Sequence, residues 1–374
     1  MEKEIKADNF IKDVLKNRQE RILSYLSGDG FKGVVMFTPE NIYYFTGFWG
    51  ESMVICTNDG VKLFVPQLEV SRAETESFDC EIISTQRGED STKSLYHYLS
   101  NSKFCSDCND FKTIDSIHKK LGEKNFICDS QPFLVLRSVK DEKEIGLIKR
   151  SSEIIDKLYQ ICVEEIKIDL SEKELQSKLI CEATRRGGTF PCYPFTLNPF
   201  IIASGPNGAL PHAETSDRYF CDGDLVVVDL TIRYRGYISD ATRTFALGGL
   251  SEEKTRVYDI VKKSQEAGLM AAKSKAIGHD IDLACRNLIH ECGYGQNFIH
   301  STGHGVGLEV HEKPWIRPND TEPLRENMVI TIEPGIYIKS KFGVRIEDTV
   351  VIKGNNSSSN DVLTKFTKEL TVVN

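Results

Sequence analysis

The sequence predicts two successive domains: an α/β unit, then a unit in which helices are joined to acidic β-hairpins. Three observations point there. Strand-like runs alternate with helical stretches up to about residue 133, the pattern of an α/β unit. A Lys/Glu-rich junction with 3.6-residue apolar spacing, LRSVKDEKEIGLIKRSSEII at 136–155, then opens a new helix. Beyond residue 225, paired strand-like runs each carry an Asp or Glu beside a turn signal.

Taken in order, the first helical stretch is IKDVLKNRQERILSYL at 11–26, followed by the strand candidates GVVMF, MVICT, VKLFVP and CEIIS. Cys105 and Cys108 form a CxxC with no second pair, so no zinc ribbon is expected. Trp49, in the loop GFWGES, reads as packing, with a reach into an active site as the alternative. In the second domain Ser171 and Glu174 make a capping box ahead of LQSKLICEATRR, and Gly187–Gly188 stop that helix. Ser251, with Glu252 and Glu253 at the positive end of the helix dipole, starts KTRVYDIVKKSQEAGLMAAK, on which Leu269 and Met270 are expected in the core. IDLACRNLIHEC then runs to Gly293, with His279 as a helix-entry residue. His97, His118 and His290 are read as satisfied or surface histidines. GNNSSSND at 354–361 is expected to loop out before VLTKFTKEL returns to the body.

Four stretches hold candidate metal ligands. VVVDLTIRYRGYISDATRT carries Asp229 and Asp240, HSTGHGVGLEVHE carries His304 and His311, VITIEPGIYI carries Glu333, and GVRIEDTVVI carries Glu347. A lone Asp or Glu is usually a solvated surface charge, but Asp229 ends LVVVD and Glu333 ends VITIE. A carboxylate at the end of a buried strand is costly unless paired or bound to metal. Arg235–Gly236 supplies a turn between Asp229 and Asp240, which suits a hairpin that puts both on one face. Glu333 and Glu347 repeat the arrangement, with Gly343 in the connection. Gly303, Gly305 and Gly307 clear space around His304 for a close backbone approach. A phosphate loop is disfavoured, since no Gly-Lys-Ser/Thr follows. One imidazole and four carboxylates form a hard donor set for Mn, Fe(II), Co or Zn. Such sets hold two cations about 3.5–4 Å apart, and these turn water into a nucleophile near neutral pH and polarise a carbonyl. The expected chemistry is amide hydrolysis.

These residues resemble the pita-bread metallopeptidases, the family of methionine aminopeptidase, aminopeptidase P, prolidase and creatinase. The resemblance rests on SDATRT at 239–244, GHGVG at 303–307, EPG at 333–335 and RIED at 345–348, in the family's ligand order, and on ENIYYFTGF at 40–48 for the creatinase–prolidase branch. It implies a creatinase-like α/β N-terminal domain at 1–135 and an α+β pita-bread catalytic domain at 136–374. By the same resemblance Asp229 chelates one metal, Asp240 and Glu347 bridge both, and His304 and Glu333 complete the second. Glu333 also shuttles a proton, His212 and His311 polarise the scissile carbonyl, His300 walls a proline pocket, and Arg345 binds substrate as the candidate cation for the free carboxylate beside the proline. The implied enzyme is a dinuclear Xaa-Pro peptidase using a bridging hydroxide. Manganese is its first expected metal, and cobalt, zinc or iron are the alternatives. One departure is visible: many relatives have glycine two residues after the first Asp, where this chain has Thr231.

A chain of 374 residues can hold two full cores. A net charge of -8 disfavours nucleic acid as a partner. No run approaches 18 apolar residues and the N-terminus lacks a signal core, so no membrane partner and a cytoplasmic location are expected. Eleven scattered cysteines read as reduced thiols. The expected partners are a short proline-containing peptide and, from the resemblance, a second copy in a homodimer. Within the peptidase reading a prolidase-like dipeptidase comes first, aminopeptidase P activity is the alternative, and methionine aminopeptidase ranks below both. A metal-free creatinase-type hydrolase and a peptide-binding pseudoenzyme are weaker, because all five ligands and both accessory histidines are present.

Overall fold

The computed structural model describes residues 2–87, 89–99, 102–191, 196–354 and 359–373, with side chains described from residue 12 and not at 89–90. The chain divides into two compact units, Met1–Leu136 and Arg137–Asn374.

In the first unit six strands form one mixed sheet, in the order Glu81–Thr85, Gly60–Pro66, Met53–Thr57, Phe31–Met36, Lys103–Ser106, Phe126–Cys128. Met53–Thr57 is antiparallel to both neighbours, and the outer pairings are parallel. The β-branched and aromatic runs that predicted strands supply its core, with Val34, Val35, Leu63, Phe64 and Phe104 fully buried. The ENIYYFTGF phrase is a helix, Pro39–Thr46, that starts on proline and ends at Gly47, whose φ of 79° lets its N–H reach the Tyr43 carbonyl. Buried Asp107 holds its entry, accepting from the N–H groups of Phe37 at 2.7 Å and Thr38 at 3.3 Å and from Asn41 Nδ2 at 2.7 Å. Trp49 packs its ring 5.4 Å from that of Tyr43, inside this unit. Burial pushes the Cys105 and Cys108 thiols up to about 12 and about 11. All ten described cysteines are free, and Cys192 lies outside the described residues.

The second unit repeats one theme, a helix pair packed on a sheet. Helices Glu142–Glu165 and Glu172–Arg185 share a core with the strands Phe200–Ser204, Leu225–Tyr234 and Tyr237–Leu247. Helices Glu252–Ala271 and Gly278–Glu291 share another with the strands between 312 and 351. The second sheet runs Glu312–Ile316, Gly303–Gly305, Val329–Ile332, Asp348–Val351, Asp361–Val362. A bridge between Thr242 and Glu347 joins the two sheets, so the acidic strands meet along one line.

Local signals explain the boundaries. Ser171 and Glu174 form the capping box, Gly187 turns at φ 83°, and Ser251 caps the next helix from its side chain. The junction helix begins later than its periodicity suggests. Asp141 and Glu144 cap it in a box of their own, and Val139 just before them pairs with Met328. Arg235 and Gly236 turn the first hairpin at φ 46° and 87°. Gly343 is not a turn residue as expected. It lies in the strand Phe342–Arg345, where a Cβ would sit 1.9 Å from the Gly208 carbonyl oxygen, and Ser340 at φ 59° lies in the turn instead. Met270 is also not in the core: it is 74% exposed. The buried stripe of its helix runs Val257, Val261, Ser264, Gly268, and a residue two beyond Gly268 faces away. Leu269 does pack against the core. Of the expected 354–361 loop, residues 355–358 lie outside the described residues.

Candidate metal centre

Strand register brings the acids together. Thr231 pairs directly with Asp240, and Asp229 with Thr242, so Asp229 and Asp240 are diagonal neighbours on one face of the hairpin. Glu333 follows Val329–Ile332 and Glu347 precedes Asp348–Val351, and because Ile332 pairs with Asp348 the two glutamates lie next to each other. His304 is the middle residue of Gly303–Gly305. The flanking glycines are required by backbone: a Cβ would lie 2.0 Å from the Thr331 carbonyl oxygen at Gly303 and 2.3 Å from that of Lys313 at Gly305.

Asp240, His304 and Glu347 each offer a ligand atom within 4.8 Å of the others. Glu333 Oε1 lies 3.5 Å from His304 Nε2. Asp229 is held by an ion pair with Arg345. The His304 Nδ1–H donates to the Gly305 carbonyl at 3.0 Å, which fixes the tautomer and leaves Nε2 as a lone pair aimed at the acids. Burial holds His304 neutral, its pKa lowered to about 3, with His311 pushing the same way.

Four carboxylates so close cannot all ionise by themselves. Burial, then the charges of Asp229 and Glu333, lifts Asp240 well above the carboxylate range. Burial, then Asp240, Glu333 and Asp229, does the same to Glu347. Burial raises Glu333 to about 8, Arg345 opposing and Asp229 reinforcing it. Glu347 Oε1 is buried without a hydrogen-bond partner. A hard donor set with an orphaned oxygen and acids driven toward protonation fits divalent cations, which reverse that pKa logic.

All nine predicted site residues line one cavity of about 520 Å³: Asp229, Asp240, His304, Glu333, Glu347, His212, His311, His300 and Arg345. The His311 ring meets that of His304 at 4.3 Å and 72°. Burial, then His212, lowers the His311 pKa. Tyr337 O–H lies 2.9 Å from His300 Nε2, and His300 Nδ1 lies 2.7 Å from the Ser301 carbonyl, so His300 is the Nδ1–H tautomer with Nε2 accepting. Burial, then Arg345, lowers its pKa to about 3. Arg345 is 3% exposed and spends its donors on Asp229, Tyr337 Oη at 2.8 Å, the Pro211 carbonyl at 3.2 Å and Thr242 Oγ1 at 3.1 Å. Its geometry is that of a strut behind Asp229. Among the non-site histidines, His118 bonds the Phe126 carbonyl, and His279 Nδ1 accepts from the Asn319 N–H.

Sequence reasoning missed two lining or supporting residues, Tyr337 and Trp315, and noted Thr231 without its contact. Thr231 donates its hydroxyl to Asp240 Oδ1 at 2.9 Å, a contact legible in its i+2 position after Asp229 on a strand. Tyr337 links Arg345 to His300. Trp315 faces His304 across the strand pair and lines the cavity.

The sequence pattern of metallopeptidase family M24 matches residues 146–354, and that of the creatinase/prolidase N-terminal domain matches residues 18–139. The chain belongs to metallopeptidase family M24. It is 38% identical over 371 residues to the Xaa-Pro dipeptidase of Pyrococcus furiosus, covering 95% of this chain and 100% of that one. Among solved structures, the prolidase from Pyrococcus horikoshii OT3 superposes with a TM-score of 0.87 at 35% identity, covering 95% of this chain and 99% of that one. The X-Pro aminopeptidase from Thermotoga maritima MSB8 gives 0.85 at 32% identity, covering 95% and 99%. The fold is therefore a creatinase-like α/β domain followed by the pita-bread catalytic domain of M24 peptidases. The family is metal-dependent, and the clustered carboxylates and imidazole are where this chain can hold divalent ions. No described helix is long and apolar enough to cross a membrane.

Proposed function

We propose that this M24 peptidase is a prolidase-like Xaa-Pro dipeptidase that holds two divalent cations on Asp229, Asp240, His304, Glu333 and Glu347. The observation that carries the reading is the convergence of these five groups with His212, His300 and His311 on one cavity. The full-length likeness to a Xaa-Pro dipeptidase supplies the substrate class. When bound, the cations supply a water of lowered pKa and Lewis-acid polarisation of the scissile carbonyl. The residues do the rest. Glu333, left as a carboxylate where cations take the place of the proton, would accept a proton from the attacking water as the oxygen bonds the carbonyl carbon. His311 and His212 donate N–H groups to the oxygen on which negative charge develops. As the C–N bond breaks, Glu333 returns the proton to the proline nitrogen. His300, held neutral and oriented by Tyr337, offers its ring face to the pyrrolidine. Arg345 keeps Asp229 in place.

The metal set reads as manganese first, with cobalt, zinc or iron as alternatives. Residues 1–135 serve as the N-terminal domain and 136–374 as the catalytic domain, in a cytoplasmic homodimer. The aminopeptidase alternative draws on the likeness to the Thermotoga maritima enzyme. A peptide panel decides between the two. Ala-Pro should be cleaved and Ala-Ala spared. Cleavage of a pentapeptide with proline second, at the dipeptide's rate, would replace dipeptidase with aminopeptidase.

A further inference from the structure

The second unit buries a charge cluster that the chemistry above does not use. Arg137 Nη2 lies 2.5 Å from Glu312 Oε2 and 2.7 Å from Glu309 Oε2, and Lys140 Nζ lies 2.9 Å from Glu312 Oε1. The side chains of Arg137, Lys140 and Glu312 are 3%, 1% and 2% exposed. Burial raises the Glu312 carboxyl, but Lys140 and Arg137 outweigh it and leave the pKa at about 2. Glu312 is therefore a carboxylate at neutral pH.

Its position is informative. Glu309 and Glu312 bracket the turn between the strands Gly303–Gly305 and Glu312–Ile316, and His311 is the last residue of that turn. The Glu312 carboxylate folds back beneath it and accepts from the Glu309 N–H at 3.4 Å. A Cβ on Gly307 would lie 2.5 Å from Glu312 Oε1. The third glycine of TGHGVG thus makes room for this carboxylate, not for His304 as expected. The cationic side is anchored separately. Lys140 N–H donates to the Asn327 carbonyl at 3.0 Å, Val139 pairs with Met328, and Arg325 Nη2 donates to Ser138 Oγ at 3.1 Å.

A buried ion pair is poor at stabilising a fold, since well-packed apolar residues of like volume do as well or better. What it does impose is direction, because each oxygen has one place to go. We propose that Arg137 and Lys140 are positioning residues that act through Glu312 to set the His311 imidazole against His304 and the substrate carbonyl. The proposal rests on the reading of His311 as a carbonyl-polarising donor. It gives the charged residues of the LRSVKD junction a catalytic purpose besides starting a helix.

The test is a double-mutant cycle on the metal-loaded, full-length protein with Ala-Pro. Arg137→Met should lower kcat about 10–100-fold, the usual cost of removing an orienting partner, with KM changed less than about threefold. Metal content should not change. In a His311→Ala background the same substitution should lower kcat no further, and Arg137→Lys should restore part of the loss. Glu309→Gln, at the half-exposed end of the cluster, gives a milder form of the same result if Arg137→Met folds poorly. Equal losses in both backgrounds, or loss of metal from Arg137→Met, would overturn the proposal and leave the His311 reading standing. A His311→Ala protein with unchanged kcat would overturn that reading, and the proposal with it.

Discussion

Replacing Thr231 by valine removes one hydroxyl and keeps the β-branched shape that its strand favours. The hydroxyl donates to Asp240 Oδ1 at 2.9 Å. Asp240 already sits well above the carboxylate range, through burial first and then Asp229 and Glu333, and the Thr231 bond is what opposes them. Without it, the proton competes harder with a cation for the same oxygens. Loss of a partner that orients a metal ligand typically costs about 10–100-fold in metal affinity, which corresponds to about 1.4–2.8 kcal/mol. Competition of manganese against a calibrated chelator should show that weakening, with the pH for half-loading moved upward. At saturating manganese kcat should recover most of its value, since Thr231 bonds the proposed ligand Asp240 and not the substrate. Unchanged affinity and an unchanged pH midpoint in Thr231→Val would refute the reasoning.

Other outcomes follow from the same geometry. Asp240→Ala or Glu347→Ala should abolish activity and disperse both metals, and Asp240→Ala retaining two metals and near-normal turnover would contradict the bridging role. His212→Ala and His311→Ala should keep their metals and lose about 10²–10³-fold in kcat, and metal loss in either would make that histidine a ligand. Arg345→Lys should lower metal affinity together with kcat, because a lysine cannot reproduce the fork that holds Asp229, Tyr337 and Thr242; a rise in KM alone would return Arg345 to substrate binding. In metal-free protein, Glu333 is raised by burial to about 8 from an ordinary 4.5. The folded state then binds the extra proton, so this stability is full below about pH 4.5 and is lost as pH rises through about 8. Thermal unfolding should therefore show Tm falling across that window after chelation, and saturating manganese should flatten the slope.

The candidate ligands were legible because each breaks its local pattern: an acid closing an apolar strand run, or a histidine among glycines. Their convergence was harder to read. Asp229 and Asp240 were linked by an Arg-Gly turn, but the neighbouring of Glu333 and Glu347 depends on strand register, which Gly343 suggested for the wrong reason. Gly343 and Gly303 mark tight backbone crossings with segments distant in sequence, and a glycine alone does not name its neighbour. Met270 shows the limit of periodicity at a helix end, where two residues past the last buried position face outward. Arg345 was found by its place beside Glu347, but its commitment to Asp229 and Tyr337 required a cross-strand view. The Arg137–Glu312 pair spans 175 residues, and no local signal connects its halves.

The most direct measurement is hydrolysis of Ala-Pro by purified protein, with divalent metal counted on the same sample before and after chelation and re-addition of manganese. The account predicts two metals per chain, activity lost with them, and activity restored with manganese. Undiminished Ala-Pro cleavage by metal-free protein, or no cleavage with two metals bound, would contradict it.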